Sequence, residues 1–193
     1  MKQLASIAFL FSSLTIMGQE NNLPYYEIPD YSDNYTAGTV AARMIDGLGF
    51  RFYWATDGLQ DNDLDFKPSR DARTTLETID HVYQLSQVIV NSTLQKVNES
   101  NINKIDMSWD KKREQTLLNL KRAADILRNA EDLNAFTIDF KNGQFPFWNN
   151  INGPIADAIW HCGQIASFRR SSGNPINPQI SHFTGKLRTI PKR

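Results

Sequence analysis

The chain has 193 residues, enough for one domain with a substantial core. Its 21 basic and 21 acidic residues cancel, and no run of like charge is long enough for a nucleic-acid tail, so nucleic-acid binding is not expected despite the basic end at 186–193. Cys162 is the only cysteine, which excludes an intramolecular disulfide and leaves ordinary burial to hold the fold together.

Residues 1–18 read as an export signal. One lysine, Lys2, precedes an apolar run from Leu4 to Met17, and Gly18 offers a small residue for cleavage. The run is about 14 residues, short of the ~20 that span a bilayer. The expectation is an exported, periplasmic protein with no stable membrane insertion once the signal is removed. The mature chain, 19–193, is then a single domain.

Asn21 to Asn34 holds Pro24, Pro29 and three tyrosines, which predicts an extended lead-in that packs aromatic rings on the domain. A first helix is expected from Thr36 or Thr39 to about Asp57, with Met44, Leu48, Phe52 and Ala55 on one stripe. Gly47 and Gly49 weaken its intrinsic preference by about 1 kcal/mol each and suit close packing. Asp61 to Arg73 reads as a polar connection. Thr74-Thr75-Leu76-Glu77 has the form of a capping box and opens a second helix to about Asn98. Its apolar arc is Ile79, Val82, Leu85, Ile89 and Val90.

After a polar connection from Asn98 to Met107, Ser108 opens a third helix to about Ala130, with Leu117, Leu120, Ala124 and Leu127 inward. Lys111, Lys112, Arg113, Lys121 and Arg122 read as its solvated side. Phe136–Phe140 and Gln144–Trp148 flank Lys141-Asn142-Gly143, a hairpin-turn signal, and Pro146 confines the second arm to an edge. A fourth helix is expected from Pro154 to about Ser171, followed by a proline-containing tail from Asn174. The expected fold class is all-α: a four-helix bundle with a small hairpin or ordered loop before the last helix.

The chemistry-bearing pattern lies on the fourth helix. Asp157 and His161 are four residues apart, so a carboxylate and an imidazole share one face, one turn apart. Both are metal-ligand types at a chelating spacing. Gln164 and Phe168 continue that stripe, while Ile155, Ile159, Cys162, Ile165 and Ala166 form an apolar arc beside it. On the second helix, Glu77, His81 and Leu85 share a stripe at the edge of the buried face. Such edge positions suit a cleft between helices that stays open to water. Taken alone, a histidine on a helix is more often a hydrogen-bonded surface side chain than a ligand, and an Asp–His pair can simply form an intrahelical contact.

Three stretches carry a family resemblance. Tyr53-Trp54-Ala55-Thr56-Asp57-Gly58-Leu59 leads into Asp65-Phe66-Lys67-Pro68; Thr75 to Tyr83 contains His81; and His161 to Arg170 is followed by Gly173-Asn174-Pro175. In this order and spacing, the region from about Arg43 to Pro178 resembles the DinB-like (DinB/YfiT) family of metalloenzymes. The resemblance implies a four-helix bundle with a divalent metal held by a histidine of the second helix and two histidines on the last. His81 matches the first and His161 the last, while Asp157 stands where the middle histidine is expected. The implied ligand set is His81, Asp157 and His161, with zinc or nickel first among the ions and iron or manganese next. Gln164 is the candidate to orient a water or substrate there, or to brace a ligand from behind. Glu77 and Asp46 are lesser candidates. Cys162 reads as a small buried hydrophobe, and His182 lies in the tail.

Two functions follow from this reading. One is a metal-dependent enzyme of hydrolase or transferase type acting on a small molecule. Some family relatives are thiol-dependent transferases, a chemistry that export would disfavour because the thiol cosubstrates are cytosolic. The other is a non-catalytic binding protein with a weakened metal site and a pocket lined by Phe145, Phe147, Trp148 and Trp160. A second copy of the chain, as a homodimer, is the one macromolecular partner left open. No catalytic serine motif, phosphate loop or dinucleotide fingerprint occurs.

Overall fold

The structure, a computed structural model, describes residues 23–99 and 107–188. The export-signal reading and most of the polar connection from Asn98 to Met107 lie outside the described residues. Among the described residues the fold is mostly helical, with four long helices: α1 (Ala37–Thr56), α3 (Thr75–Thr93), α4 (Trp109–Arg128) and α6 (Ala156–Ser171). They pack cyclically: α1 on α4, α4 on α3, α3 on α6 and α6 on α1. None of the described helices is long and apolar enough to cross a membrane.

Two of the long helices start at side-chain caps, whereas Ser108 before α4 makes no cap hydrogen bond. The Thr36 hydroxyl accepts from the Thr39 amide and caps α1. At α3 the expected capping box forms: Thr74 Oγ1 accepts from Glu77 N at 3.1 Å, and Glu77 Oε2 accepts from Thr74 N at 2.7 Å. Helix α3 stops at Thr93, about five residues before the expected end. Gln95 takes φ 54°, the left-handed conformation that ends a helix, and Lys96 N donates back to Asn91 O. The freed residues Val97–Asn98 (β1) pair in parallel with β2 (Ile138–Phe140), which in turn pairs antiparallel with β3 (Gly143–Phe145). The hairpin therefore has its expected turn, with β3 at the edge and ending before Pro146. The third strand was not foreseen.

The 61–73 connection also holds a short helix, α2 (Asp61–Leu64), which the sequence reading missed. Asp63 explains why it is ordered. Its carboxylate accepts from Gln60 N at 2.9 Å, from Asn174 Nδ2 at 2.6 Å and from Ser172 Oγ. Burial alone would raise this carboxyl, but the bonds from Asn174, Ser172 and Gln60, with the Arg169 charge, lower it below the usual range.

The fourth helical run differs most from expectation. It begins at Phe147, not Pro154. Helix α5 (Phe147–Asn150) passes through a π-helical turn over Ile151–Ile155 into α6, with right-handed helical dihedrals at both junctions. Pro154 lies inside that turn. Proline has no N–H to donate and its ring crowds the carbonyl four residues back, so widening the helix removes the conflict. The buried positions record the slip: Phe147 and Asn150, then a step of five to Ile155, then Ala158, Cys162, Ile165 and Arg169 at regular three–four spacing.

The main core joins all four long helices through Ile45, Leu48, Phe52, Ile79, Val82, Ile89, Leu117, Leu120, Leu127, Ile155 and Ile165, each fully buried. The lead-in does pack its rings. Tyr25 is buried in that core, and Tyr26 lies against Tyr53 and Trp54. Gly49 is what admits Tyr25, since a Cβ there would fall 2.3 Å from its ring. A smaller cluster of Ile28, Phe50, Trp54 and Ile180 lies under the C-terminal hairpin, β4 (Ile180–Ser181) and β5 (Lys186–Leu187). Lys112 and Arg113 are not solvated as expected. Lys112 pairs with Asp80, and Arg113 Nε donates to Thr56 Oγ1 at 2.8 Å at the end of α1.

Two predictions test these contacts. A Cβ at Gly38 would fall 2.3 Å from the Leu127 carbonyl oxygen, which is backbone and can move only with α4. Gly38→Ala should therefore destabilise the fold by about 2 kcal/mol in urea unfolding, although alanine is the better helix former by about 1 kcal/mol. Asp63 has a lowered carboxyl in the folded state, so its stabilisation is present above the ordinary aspartate range and lost as pH falls through the lowered value. Stability measured from pH 6 down towards the usual acid range should thus fall less steeply in Asp63→Asn than in the native chain, and start from a lower plateau.

Candidate metal centre

Helices α3 and α6 carry the three expected ligand types to one place. His81 lies six residues into α3 and points across to α6. There Asp157 and His161 stand one turn apart, on the face that the π-helical turn has rotated toward α3. His81 Nε2 lies 3.2 Å from Asp157 Oδ2, and His161 Nε2 lies 3.3 Å from Asp157 Oδ1. The two imidazole rings meet edge to face with centroids 4.8 Å apart. One ligand atom from each residue falls within 4.8 Å of the other two.

The residues fit a divalent ion on their own chemistry. Metal bonds of about 2.0–2.1 Å at tetrahedral angles set neighbouring ligand atoms about 3.3 Å apart, close to both His–Asp separations. The cluster can therefore hold a metal ion with small adjustments of side chains. His161 is the best enclosed, with 13% of its side chain exposed, while His81 and Asp157 keep 29% and 39%. Solvent reaches the cluster from the side of the latter two.

Gln164 braces this arrangement. Its Oε1 lies 2.6 Å from His161 Nδ1. An amide oxygen only accepts, so with this contact Nδ1 carries the proton, and in the neutral imidazole Nε2 would be the nitrogen left to bind an ion. The partner behind a ligating histidine fixes tautomer and ring orientation in this way.

The other candidates lie elsewhere. Glu77 is committed to the cap of α3. Asp46 is fully buried on α1, where it accepts from Arg128 Nη2 at 2.9 Å; burial raises its carboxyl, against the pull of Arg128. Cys162 is buried, and desolvation pushes its thiol up to about 12, so it is no nucleophile. His182 sits edge-on to Phe50 at 5.9 Å, away from the cluster. The four aromatic residues considered for a pocket are divided. Phe147 and Trp148 border a cavity of about 240 Å³, Phe145 pairs with Phe140, and Trp160 stands exposed.

Sequence reasoning missed Arg169. It is buried on α6, and its Nη1 donates to the carbonyls of Trp54, Ala55 and Asp57. It thereby satisfies the open carbonyls at the end of α1 and fixes α6 along its length against α1. The signal available was its place on the buried stripe of α6, four residues after Ile165.

Comparison with protein-family models, curated proteins and solved structures finds no match for this chain.

Gln164→Leu should keep all three donor atoms but release the His161 ring. The expected result is a tenfold to hundredfold weaker zinc affinity, of order 10–100, in competition with a chromophoric chelator, with little change in melting temperature of the metal-free chain.

Proposed function

We propose that this chain is a divalent-metal-dependent enzyme of hydrolase or transferase type, a four-helix bundle of the DinB-like kind. The observation that carries the reading is the convergence of His81, Asp157 and His161 beside a face open to solvent. Three protein ligands and an open side are the arrangement of catalytic sites, whereas structural sites close all positions with protein.

His81 Nε2, His161 Nε2 and one or both Asp157 oxygens would hold the ion. A bound divalent ion supplies Lewis acidity, lowering the pKa of a water or polarising a substrate oxygen. The chain's own residues do the rest. Gln164 keeps His161 in the tautomer that offers its lone pair. Asp157 adds a carboxylate to two imidazole donors, a harder set that would suit zinc, nickel, iron or manganese. Asp157 has two oxygens, so one could accept a hydrogen bond from a substrate or water while the other helped to hold the ion.

Hydrolysis is favoured over thiol transfer on the reading of an exported chain, with a small molecule as substrate. The binding-protein alternative has less support, because the aromatic residues that would line its pocket do not share one cavity.

Purified without a chelating tag and offered zinc or nickel, the chain should take up about one equivalent, and His81→Ala or Asp157→Ala less than about a tenth. Uptake should also raise the melting temperature of the native chain in proportion to the logarithm of metal concentration. Native protein that binds under about a tenth of an equivalent of each first-row divalent ion overturns the metal reading. Full metal loading without turnover across ester, amide and phosphoester panels would favour the binding-protein alternative.

A further inference from the structure

The face of α6 opposite the metal cluster borders a second feature. At about 100° per residue, Ile159, Cys162, Gly163 and Ala166 lie on the far side of the helix from Asp157, His161 and Gln164. With Arg51 and Ala55 of α1, and Ile176 and His182 of the C-terminal segment, they line a cavity of about 150 Å³. That is room for about five water-sized groups at roughly 30 Å³ each.

The lining is divided by chemistry. Ala55, Ile159, Ala166 and Ile176 are apolar, while Arg51 and His182 are hydrogen-bond donors. Arg51 is half-buried, and its Nη1 donates to Gly47 O at 2.8 Å. No carboxylate pairs with it among the described residues. A guanidinium has five N–H donors, so one backbone bond leaves most of them unused, and a half-buried cation without a counter-charge is costly. Its charge is felt in the cavity: after burial itself, Arg51 is the next cause acting on both the Cys162 thiol and the His182 imidazole.

Two glycines make the space. At Gly47 a Cβ would fall 3.3 Å from Arg51 Nη1, so its absence lets the guanidinium fold back along α1. At Gly163 a Cβ would meet no atom within 4 Å. Glycine is a poor residue for the middle of a helix, and nothing in the packing of α6 requires it at 163. Gly163 is itself exposed, so the open space there is the solvent-facing mouth of the cavity that Arg51 also lines.

We propose that this cavity binds a short aliphatic carboxylate, its carboxylate on Arg51 and His182 and its carbon chain against Ile159, Ala166 and Ile176. The planar guanidinium matches a carboxylate's two oxygens, and the apolar walls select a carbon tail over a bare inorganic anion. The site is independent of the metal cluster and would remain if that cluster bound nothing.

The test is a titration of sodium butyrate into the full chain, followed by the ring-proton resonances of His182, which His182→Gln assigns. The native chain should show a saturable shift of those resonances. Arg51→Met should weaken binding about tenfold or more, as expected for loss of a charge-assisted hydrogen bond. Gly163→Leu should weaken it about tenfold or more by obstructing the mouth of the cavity, with circular dichroism and melting temperature confirming the fold. Should Gly163→Leu not fold, Gly163→Ala, whose Cβ has free space, should weaken binding measurably. A shift that grows linearly without saturation in the native chain overturns the proposal, as does equal affinity in Arg51→Met. Inorganic phosphate binding as tightly as butyrate, and unaffected at position 163, would mean an anion at Arg51 alone and would also overturn it.

Discussion

The site depends on how one proline is accommodated. Pro154 lies inside a continuous helical run from Phe147 to Ser171, where a regular α-helix would leave the Asn150 carbonyl without its partner. The π-helical turn over 151–155 takes up one extra residue, which rotates everything after it by about 100° relative to everything before it. That rotation lets Phe147 and Asn150 face the same core as Ile155, Ala158, Cys162, Ile165 and Arg169. Once those five are turned inward, Asp157, His161 and Gln164 have no choice but to line the border with α3. The ligand face is a consequence of the phase slip and of the burial that follows it.

Three polar arrangements then fix the helices against one another. Arg169 donates to the last carbonyls of α1, so α6 cannot slide along it without stranding a buried guanidinium. Arg113 does the same for α1 from α4, through Thr56 and the Tyr53 carbonyl, with its guanidinium 4.8 Å from the centre of the Tyr53 ring. Asp63 ties α2 to the end of α6 through Ser172 and Asn174. All three gather around the end of α1 and the start of the 58–74 connection. His81, one and a half turns into α3, is held to that frame through α4, where Lys112 Nζ donates to Asp80 Oδ1 and Asn119 Nδ2 donates to Ser86 Oγ. Preorganisation of this kind is what a metal site requires, since small displacements of a ligand cost affinity steeply.

The two faces of α6 divide the polar chemistry of the molecule. Toward α3 the helix offers a carboxylate and an imidazole braced by an amide. Toward α1 and the C-terminal hairpin it offers small and apolar side chains beside Arg51, which has no carboxylate partner among the described residues. The buried Cys162 lies between them, and burial keeps its thiol protonated. The lead-in and the C-terminal hairpin close the outer side of α1, where Gly185, at φ 70°, packs its bare Cα against Ile28. The C-terminal segment thus completes the wall of the second cavity through Ile176 and His182, whereas α3 and α6 alone carry the metal cluster.

Much of this was legible in the residues. The stripes on α1, α3 and α4, the Thr74–Glu77 capping box and the Asn142–Gly143 turn are local signals, and each formed because nothing in the tertiary structure opposed it. His81, Asp157, His161 and Gln164 were also named from spacing and resemblance, because residues at i, i+4 and i+7 share a helix face in any context. What the sequence could not decide were the events that depend on distant partners. Pro154 read as a helix start because a proline at the first turn is locally favourable, and only the demand that Phe147 and Asn150 share a core with Ile155 extends the helix back through it. Helix α3 stops at Thr93 because Val97 and Asn98 gain a strand partner some forty residues on. Lys112 and Arg113 read as solvated, and Arg169 carried no reading, until Asp80 on α3 and the end of α1 supplied their acceptors. The sequence by itself determined which side chains share a face of each helix. The tertiary structure decided which faces meet, because long-range burial sets the rotation and length of each helix, and no local pattern contains that information.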